Sequence, residues 1–487
     1  MKRINGKNRQ FSSGVSTAIA AVLLIVGLVV GAGVGYAATA SSKSTTTQTQ
    51  TVATTVAGAT ITAAGATQTV TAPGTTVTAP GTTVTQGGSS GGLSGTVNIG
   101  VLDDLTDGLS GIGILINYSV HQAVNDINAY VQNTSFAGKV KFNVVVEDYA
   151  LDNTKAQSDL STFQSDGIVV TVGPLNSGTA QAILNQADSD QIVMISPSST
   201  SAALAIPTCC PAKYLFRTAP TDVVQGKADA AMMFGNGVKY LIQVYRQDTY
   251  GSGLANYTAA DFKALGGTIV DSIPYDTSTT NFAPTLATLA SDWTKGVSMA
   301  GGNNNSVAIQ LIAFDEGATL LQQAAQSYPN LIKTPQPWYG TDGVQGEAVF
   351  TNSTIASTML AVRLPSTVFG FTNSSKTQTL CAEMFAAIHQ TCEPYSIGSY
   401  DDVWLAALSL MACNANSGAC VQKVMTSVAD SYYGVSGWTL LNGNGDRAAS
   451  DYLIYCIEGP PNNLAWDVCG SWSFSSDQVT WTNKPAT

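Results

Sequence analysis

One stretch, residues 167–200 (GIVVTVGPLNSGTAQAILNQADSDQIVMISPSST), constrains the fold of this chain more than any other. Residues 168–172 form a short β-branched run that stops at a Gly-Pro pair, and a polar loop follows at 175–178. Small apolar residues then recur at helical spacing, and a second apolar run, 192–195, ends in a Ser/Thr loop. This order of strand, loop, helix, strand and loop is typical of a parallel sheet with crossover helices.

The two polar loops follow neighbouring predicted strands, so we expect them at the same edge of the sheet, where open α/β sheets hold their ligands. Both consist of small hydroxyl residues with free backbone N–H groups, and the first opens a helix. Unpaired amides and a favourable dipole at a helix N-terminus suit a carboxylate. Isolated Gly/Ser loops are most often ordinary turns, and that interpretation stays open here.

Composition narrows the kind of partner. The chain has 487 residues, of which 44% are hydrophobic and only 11% charged, with a net charge of −11. This acidic balance argues against nucleic acid and against an anionic membrane surface as partners. A sparsely charged, hydroxyl-rich exterior suits an extracellular protein, including one that faces acid.

Eight cysteines indicate disulfide bonds in an oxidising compartment. The chain has no CxxC motif and only two histidines, so zinc spacing is absent and no metal is expected. Eight cysteines allow many connectivities, and our hypothesis is that each cysteine bonds to its neighbour in the sequence. For the two adjacent cysteines, the alternative to a disulfide bond between them is two free thiols. The candidate pairs are Cys381 with Cys392, Cys413 with Cys420, Cys456 with Cys469, and Cys209 with Cys210.

The N-terminus predicts a membrane-associated segment. Residues 1–14 are basic, and residues 15–36 are apolar and long enough to cross a bilayer with the N-terminus in the cytoplasm. A conventional signal peptide would be cleaved near Ala38. Residues 14–17 (GVST) also look like the cleavage point of archaeal type IV pilin-like signal peptides, which keep the apolar helix. We favour a retained helix, by either the anchor or the pilin-like route, over its removal.

Residues 37–95 are low-complexity Thr, Ser, Ala and Gly, and the repeat TAPGTTV occurs at 71–77 and again at 78–84. No apolar periodicity can drive a core here, which predicts a flexible stalk that spaces a folded head from the membrane. Asn-x-Ser/Thr sequons fit a secreted glycoprotein, at Asn117, Asn133, Asn256, Asn304, Asn352 and Asn373.

From residue 96 the chain alternates predicted strands and helices in two series of similar size. The first series has predicted strands at 97–102, 140–146, 168–172 and 192–195, and the second at 241–245, 268–273, 307–313 and 336–340. Two successive βαβ series imply two doubly wound α/β lobes. A ligand would lie in the crevice between them.

Six motifs in order carry a family likeness: VNIGVLDDLTDGLSGIG, VVVEDYALDNTKA, VVTVGPLNSGTAQA, IVMISPSSTSA, LFRTAP and VYRQDTYGSG. Over about residues 96–455 the chain resembles the solute-binding proteins of branched-chain amino-acid ABC transporters, the type I periplasmic binding proteins. The resemblance implies two Rossmann-like lobes joined by a hinge that the chain crosses three times. Lobe I would comprise 96–218 and 366–450, and lobe II 219–365 and 451–487.

The resemblance also implies a binding site for an amino acid. The ligand carboxylate would be held by Asn176, Ser177 and Gly178 from the first loop and Ser198, Ser199 and Thr200 from the second. Tyr250 matches a ligand-contacting tyrosine, and Asp342 matches the acidic partner of the ligand ammonium. Their ordinary alternatives are a packing tyrosine and a turn-capping aspartate.

The substrate is left open by two departures from the family pattern. Ile112 or Gly113 stands where relatives often place an aromatic residue, and Phe314 follows a strand where relatives place a tyrosine. Physical reasoning still supports a zwitterion site, because neutral donors at one end and an acceptor at the other avoid burying an unpaired charge.

These features predict an extracellular receptor that captures a small amino acid or amide by cleft closure and delivers it to an ABC permease and its ATPase. The protein would be attached to the outer face of the membrane through the N-terminal helix. We expect no cofactor and no enzyme activity, since the chain has no P-loop or HExxH motif, and no G-x-S-x-G sequence stands between a predicted strand and a predicted helix as a nucleophile elbow requires. A sensory ectodomain and a surface-layer protein or adhesin are the alternative functions.

Overall fold

The computed structural model describes residues 62–63, 66–67, 92–205, 214–448 and 450–485. Thr62–Ala63 and Ala66–Thr67 pair as two short antiparallel strands within the unit that ends at Gln86. The compact unit from Gly87 to Thr487 is called the head. All described core residues lie in the head, from Leu93 onward.

Three predictions fall outside the described residues. They are the apolar helix at 15–36, most of the stalk at 37–95, and any bond between Cys209 and Cys210. Among the helices that are described, none is by itself both long and apolar enough to cross a membrane. A bent pair, Pro394–Cys413 with Gly418–Ala429, meets the length and composition test only in combination.

Lobe I is built on a five-stranded parallel sheet. Its strands are β1 (Gly95–Asp103), β2 (Val140–Asp148), β3 (Val170–Val172), β4 (Val193–Ser196) and β5 (Leu215–Arg217). The order across the sheet is β2-β1-β3-β4-β5. The crossover helices are α1 (Ser110–Val131), α2 (Asn153–Ser165) and α3 (Ser177–Asp190). The predicted unit at 167–200 is therefore β3-α3-β4, at the centre of this sheet.

Lobe II is built on a four-stranded parallel sheet with helices between its strands. Its elements are α4 (Asp222–Gly235), β6 (Tyr240–Arg246), α5 (Thr249–Ala264), β7 (Thr268–Tyr275), α6 (Ala283–Met299), β8 (Val307–Ile312), α7 (Glu316–Ser327), α8 (Pro329–Ile332), β9 (Trp338–Tyr339) and α9 (Ala356–Val362). The order across the sheet is β9-β8-β6-β7. Burial of all six residues of β8 reflects coverage of both faces, as parallel sheets require.

The remaining elements include the hinge. They are β10 (Ser366–Phe369), α10 (Ser375–Ile388), α11 (Pro394–Cys413), α12 (Gly418–Ala429), β11 (Tyr433–Gly434), β12 (Gly437–Trp438), β13 (Tyr452–Glu458), β14 (Ala465–Ser473) and β15 (Gln478–Trp481). Strands β10 and β13 run antiparallel beside each other, and β14 and β15 extend the same sheet. Between them, α11 packs against α1, β3 and β4, which returns this part of the chain to lobe I.

Disulfide bonds join the three predicted neighbour pairs. Cys381–Cys392 links α10 to the segment before α11, and Cys413–Cys420 links α11 to α12. Cys456–Cys469 joins the paired strands β13 and β14. Each bond closes a short loop, so it stabilises local structure around the hinge and lobe I.

Candidate functional site

The first predicted loop precedes α3 and is held by a buried tyrosine of lobe I. The Tyr149 hydroxyl donates to Asn176 Oδ1 at 2.8 Å and accepts the backbone N–H of Leu175 at 3.2 Å. Asn176 immediately precedes α3, so these contacts fix the direction in which the helix begins. The free N–H groups of α3 consequently lie at the carboxyl edge of the lobe I sheet.

The second loop is bonded to the first through serine hydroxyls. Ser196 Oγ donates to the carbonyl of Pro174 at 2.7 Å and accepts the N–H of Ser199 at 2.9 Å. The Ser198 hydroxyl donates to the carbonyl of Leu175 at 2.8 Å, and that of Ser199 donates to Pro174 at 3.0 Å. Most hydroxyls of this loop therefore hold the two loops together.

Ser177 lines the cleft between the lobes, and its hydroxyl keeps a proton for another partner. Its Oγ accepts the N–H of Ser201 at 3.0 Å, and a hydroxyl that accepts one bond can still donate another. Thr200 is buried, and its carbonyl accepts the N–H of Asp222 at the start of α4. Gly178 lies one residue further along α3, away from the cleft lining.

A buried carboxylate of lobe II faces these loops. Asp342 is 3% exposed and follows β9. It accepts hydrogen bonds from Tyr250 Oη at 2.5 Å, from Gln225 Nε2 at 2.8 Å, and from the hydroxyl of Tyr395. Burial raises the pKa of Asp342, and the bonds from the two tyrosines and the glutamine oppose that rise.

Capped helix ends position both tyrosines. Tyr395 is the second residue of α11, and the Glu393 side chain accepts its N–H at 2.7 Å as the cap of that helix. Tyr250 is the second residue of α5, and Asp248 accepts the N–H of Gly251 at 2.8 Å. These caps satisfy helix N–H groups and fix the side chains that follow them.

An aromatic pair forms the lobe II wall next to Asp342. The rings of Tyr250 and Phe314 stack with centroids 5.5 Å apart. The Arg246 guanidinium lies 3.5 Å from the centroid of the Phe314 ring and forms ion pairs with Asp248 at 2.7 Å and Glu316 at 3.0 Å. Phe314 therefore contacts both this charged group and Tyr250, which donates to Asp342.

The Asp342 site is connected to the hinge through buried polar side chains. Gln225 Nε2, which donates to Asp342, also lies 3.2 Å from Thr367 Oγ1 in β10. Thr367 donates to Asp229 Oδ1 at 2.5 Å, and Gln310 Nε2 donates to Asp229 Oδ2 at 3.0 Å. The carboxylate is thus braced by α4 and by a hinge strand.

These groups meet at one small cavity between the lobes. It is lined by Leu109, Ile112, Leu175, Asn176, Ser177, Ser198, Tyr250, Phe314, Asp342, Gly343 and Tyr395. The space available to the centre of a water molecule is about 20 Å³, which is about one water. The lobes therefore lie close together, and a larger ligand requires the cleft to open.

The cavity brings together six of the nine residues named from the sequence: Asn176, Ser177, Ser198, Tyr250, Phe314 and Asp342. Gly178, Ser199 and Thr200 lie beside it without lining it. Ile112, which stands where relatives often place an aromatic residue, lines the wall of the cavity. Sequence reasoning missed Tyr395, although a helix start is marked there by Pro394 and by Ser396 of the capping box.

The cleft places hydrogen-bond donors on one side and a carboxylate on the other. Lobe I offers the Ser177 hydroxyl and the N-terminus of α3, and lobe II offers the Asp342 carboxylate. In the part of the chain that the structure describes, no group of three or more His, Cys, Asp and Glu residues is arranged to hold a metal ion. The apolar wall from Leu109, Ile112 and Leu175 leaves room for an aliphatic group once the cleft opens.

Comparisons with known proteins identify the family. A family model described as "Periplasmic binding protein" matches residues 96–459. An uncharacterized protein of Methanocaldococcus jannaschii is 28% identical over 406 residues, covering 80% of this chain and 93% of that protein. BasB, a chemotactic signal transduction system substrate-binding protein of Halobacterium salinarum, is 26% identical over 334 residues, covering 66% of this chain and 72% of that protein.

Solved structures share the fold. The leucine binding protein LivK of Thermotoga maritima superposes with a TM-score of 0.64 at 17% identity, covering 78% of this chain and 99% of that chain. The family match spans both parallel sheets and the hinge strands β10 and β13. On these grounds the chain belongs to the periplasmic binding protein family and has the type I fold of the solute-binding proteins of ABC transporters.

Proposed function

We propose that the head captures a small amino acid, or a related amide, between its lobes and delivers it to an ABC permease and its ATPase. One observation carries this proposal. Asp342 of lobe II and the Ser177 end of α3 in lobe I line the same cavity from opposite sides. An acceptor and a set of neutral donors placed in this way match the ammonium and the carboxylate of an amino acid.

The carboxylate would bind at lobe I. The Ser177 hydroxyl and the first N–H groups of α3 are donors, and the helix dipole favours negative charge there. The ammonium would bind Asp342, whose remaining contacts come from hydroxyl and amide groups rather than from a cation. Thus a ligand ammonium would meet a carboxylate that lacks a charged partner.

The ligand side chain would contact the apolar part of the cavity. Leu109, Ile112 and Leu175 supply aliphatic surface from lobe I, and Phe314 supplies an aromatic face from lobe II. The Thermotoga maritima neighbour is named a leucine binding protein, which agrees with an apolar side chain at this position. Cleft closure then follows from better ligand contacts in the closed state than in the open one.

A second candidate function uses the same site. The Halobacterium salinarum relative is named as part of a chemotactic signal transduction system. The head would then report ligand capture to a membrane signalling partner instead of, or in addition to, a permease. Uptake of radiolabelled ligand and swimming towards that ligand, measured in cells with and without the gene, separate these two roles.

In both roles the head would act outside the cell, attached to the membrane through residues 15–36. N-terminal sequencing of the native protein distinguishes cleavage after Gly14, cleavage near Ala38 and no cleavage. Cleavage near Ala38 would remove the helix and contradict attachment through it.

Thermal-shift screening of the head against L-amino acids and small amides tests ligand capture. A true ligand at a hundred times its dissociation constant adds about 2.7 kcal/mol to the unfolding free energy. Ser177→Ala and Asp342→Asn should remove most of that gain, whereas the exposed control Asp430→Asn should keep it. A ligand whose shift survives both cleft substitutions would show that the site is elsewhere.

A further inference from the structure

The mouth of the cleft is formed by two close contacts between the lobes. The loop between β1 and α1 in lobe I, and the first turn of α1, each approach an acidic side chain of lobe II. A methyl group added at Gly108 in the loop would lie 2.8 Å from Asp315 Oδ1, and one added at Gly111, the second residue of α1, would lie 2.5 Å from Glu347 Oε2. Each glycine therefore allows a carboxyl group of the other lobe to approach the backbone closely.

Several acidic side chains lie near these two contacts. The neighbouring charged groups are Asp104 and Asp107 from lobe I, Glu316, Arg246 and Asp248 from lobe II, and Glu393, whose Cγ lies 3.8 Å from a methyl position on Gly346. Arg246 is the cation in this set, and it already pairs with Asp248 and Glu316. The mouth therefore contains more negative groups than its one cation can balance.

Burial makes this imbalance costly when the cleft is closed. Glu347 is 3% exposed, and within the described residues its Oε1 atom has no hydrogen-bond partner. Burial, followed by the charges of Asp315 and Asp104, raises the pKa of Glu347 well above its usual range, against the smaller opposing effect of the backbone N–H groups of Gly111 and Ile112 at the start of α1. Burial and the charges of Glu316 and Asp107 raise the pKa of Asp315 to about 6.

We propose that closure of the cleft is coupled to proton uptake by Asp315 and Glu347, so that the head binds its ligand more tightly in acid than at neutral pH. Protonation removes the repulsion across the mouth and turns an unpaired acceptor into a possible donor. Opening of the cleft separates these carboxyl groups and returns them to water. The proposal rests on the proposed function only in equating ligand capture with closure.

The size of the effect follows from Asp315. The pKa of Asp315 is about 6 in the closed head. Part of this rise comes from Glu316, which stays beside Asp315 in lobe II when the cleft opens, so Asp315 alone favours closure by at most about tenfold more at pH 5 than at pH 7.5. Glu347 adds to this factor in the same direction. Protonation of Asp342, whose pKa burial also raises, opposes this gain, because it removes the charge that meets the ligand ammonium.

Two measurements on the head test the proposal. Small-angle X-ray scattering without ligand should give a smaller radius of gyration at pH 5 than at pH 7.5. The double variant Asp315→Asn/Glu347→Gln should be equally compact at both pH values, and the exposed control Asp276→Asn should behave like the parent. Because no ligand is present, this result does not depend on the identity of the ligand.

Calorimetry with an amino acid found by the thermal-shift screen supplies the second measurement. The dissociation constant should be up to about ten times lower at pH 5 than at pH 7.5 in the parent, and the double variant should lose most of this difference. An unchanged pH profile in the double variant would overturn the proposal. Selective binding of L-lysine at pH 7.5 that is lost in Glu347→Gln would also overturn it, because the mouth would then be a cation site.

Discussion

Replacement of Asp222 by Asn should make the head more stable at neutral pH. Asp222 is the first residue of α4 and is 0% exposed. Burial, together with the nearby charge of Asp342, raises its pKa to about 8, against the smaller opposing effects of Thr200 and Arg217. The parent head therefore carries a buried carboxyl group whose charge is unfavourable.

The magnitude follows from the difference between the folded and unfolded pKa. The folded group has a pKa of about 8 and the unfolded group 3.8, so the folded state holds the proton more tightly. The unfolding free energy is greatest below the unfolded pKa and decreases as pH rises through the folded pKa. Between pH 5 and pH 7.5 this single group accounts for a loss of about 3 kcal/mol.

Urea unfolding of the head, followed by tryptophan fluorescence at pH 5, 6 and 7.5, measures this loss. Asp222→Asn keeps the side-chain shape and the backbone bond to Thr200 but cannot ionise. The difference in unfolding free energy between Asp222→Asn and the parent should increase by about 3 kcal/mol, in favour of the variant, from pH 5 to pH 7.5. The exposed control Asp430→Asn should retain the pH dependence of the parent. Equal pH dependence in the parent and Asp222→Asn would refute the reasoning.

Three further predictions concern the hinge and the site. Arg217→Met removes the ion-pair partner of Asp446, 2.6 Å away, and leaves that carboxylate buried without a counter-charge. Urea unfolding should show a loss of about 3–5 kcal/mol in unfolding free energy. A loss under about 1 kcal/mol would contradict this. Replacement of Cys456 and Cys469 by Ser opens a loop with a separation of 13 residues, and differential scanning calorimetry should register a loss of about 3 kcal/mol. Tyr395→Phe removes one donor to the cleft carboxylate and should weaken ligand binding roughly ten- to a hundredfold in calorimetry; unchanged affinity would exclude that donor from the site.

The central unit of lobe I could be predicted because its signals are local. The β-branched runs, the Gly-Pro stop and the apolar spacing at 167–200 all describe β3-α3-β4, and the structure contains these elements. The resemblance of six sequence motifs to those of the solute-binding proteins predicted the order of the other strands and helices. The family match and the solved neighbours confirm the two-lobed fold.

The roles of individual hydroxyls could not be predicted from their positions in the sequence. Thr200 and Ser177 are equally plausible donors in a Ser/Thr loop, but Ser177 lines the cavity and Thr200 does not. The hydroxyls of Ser198 and Ser199 donate to carbonyls of the first loop. Which hydroxyl is satisfied internally depends on the distance between the two loops, and spacing along the chain does not contain that distance.

Long-range packing determined the features that were missed. Tyr395 reaches the cleft because α11 packs against α1, β3 and β4, far from it in sequence. Asp222 and Asp229 are buried because α4 packs against α5 and the hinge strand β10. A helical pattern identifies one face of a helix, but it does not say which neighbour will cover that face.

The internal bonding of the two serine loops has a consequence for how binding specificity can change. Their serine hydroxyls already donate hydrogen bonds to neighbouring carbonyls. This half of the cleft therefore loses little conformational entropy when a ligand binds. Under the proposed function, a rigid anchor of this kind would recognise the carboxylate that all amino acids share. Altered preference between one amino acid and another is therefore most easily acquired in the opposite wall, at Phe314 and its neighbours, without disturbing the common anchor.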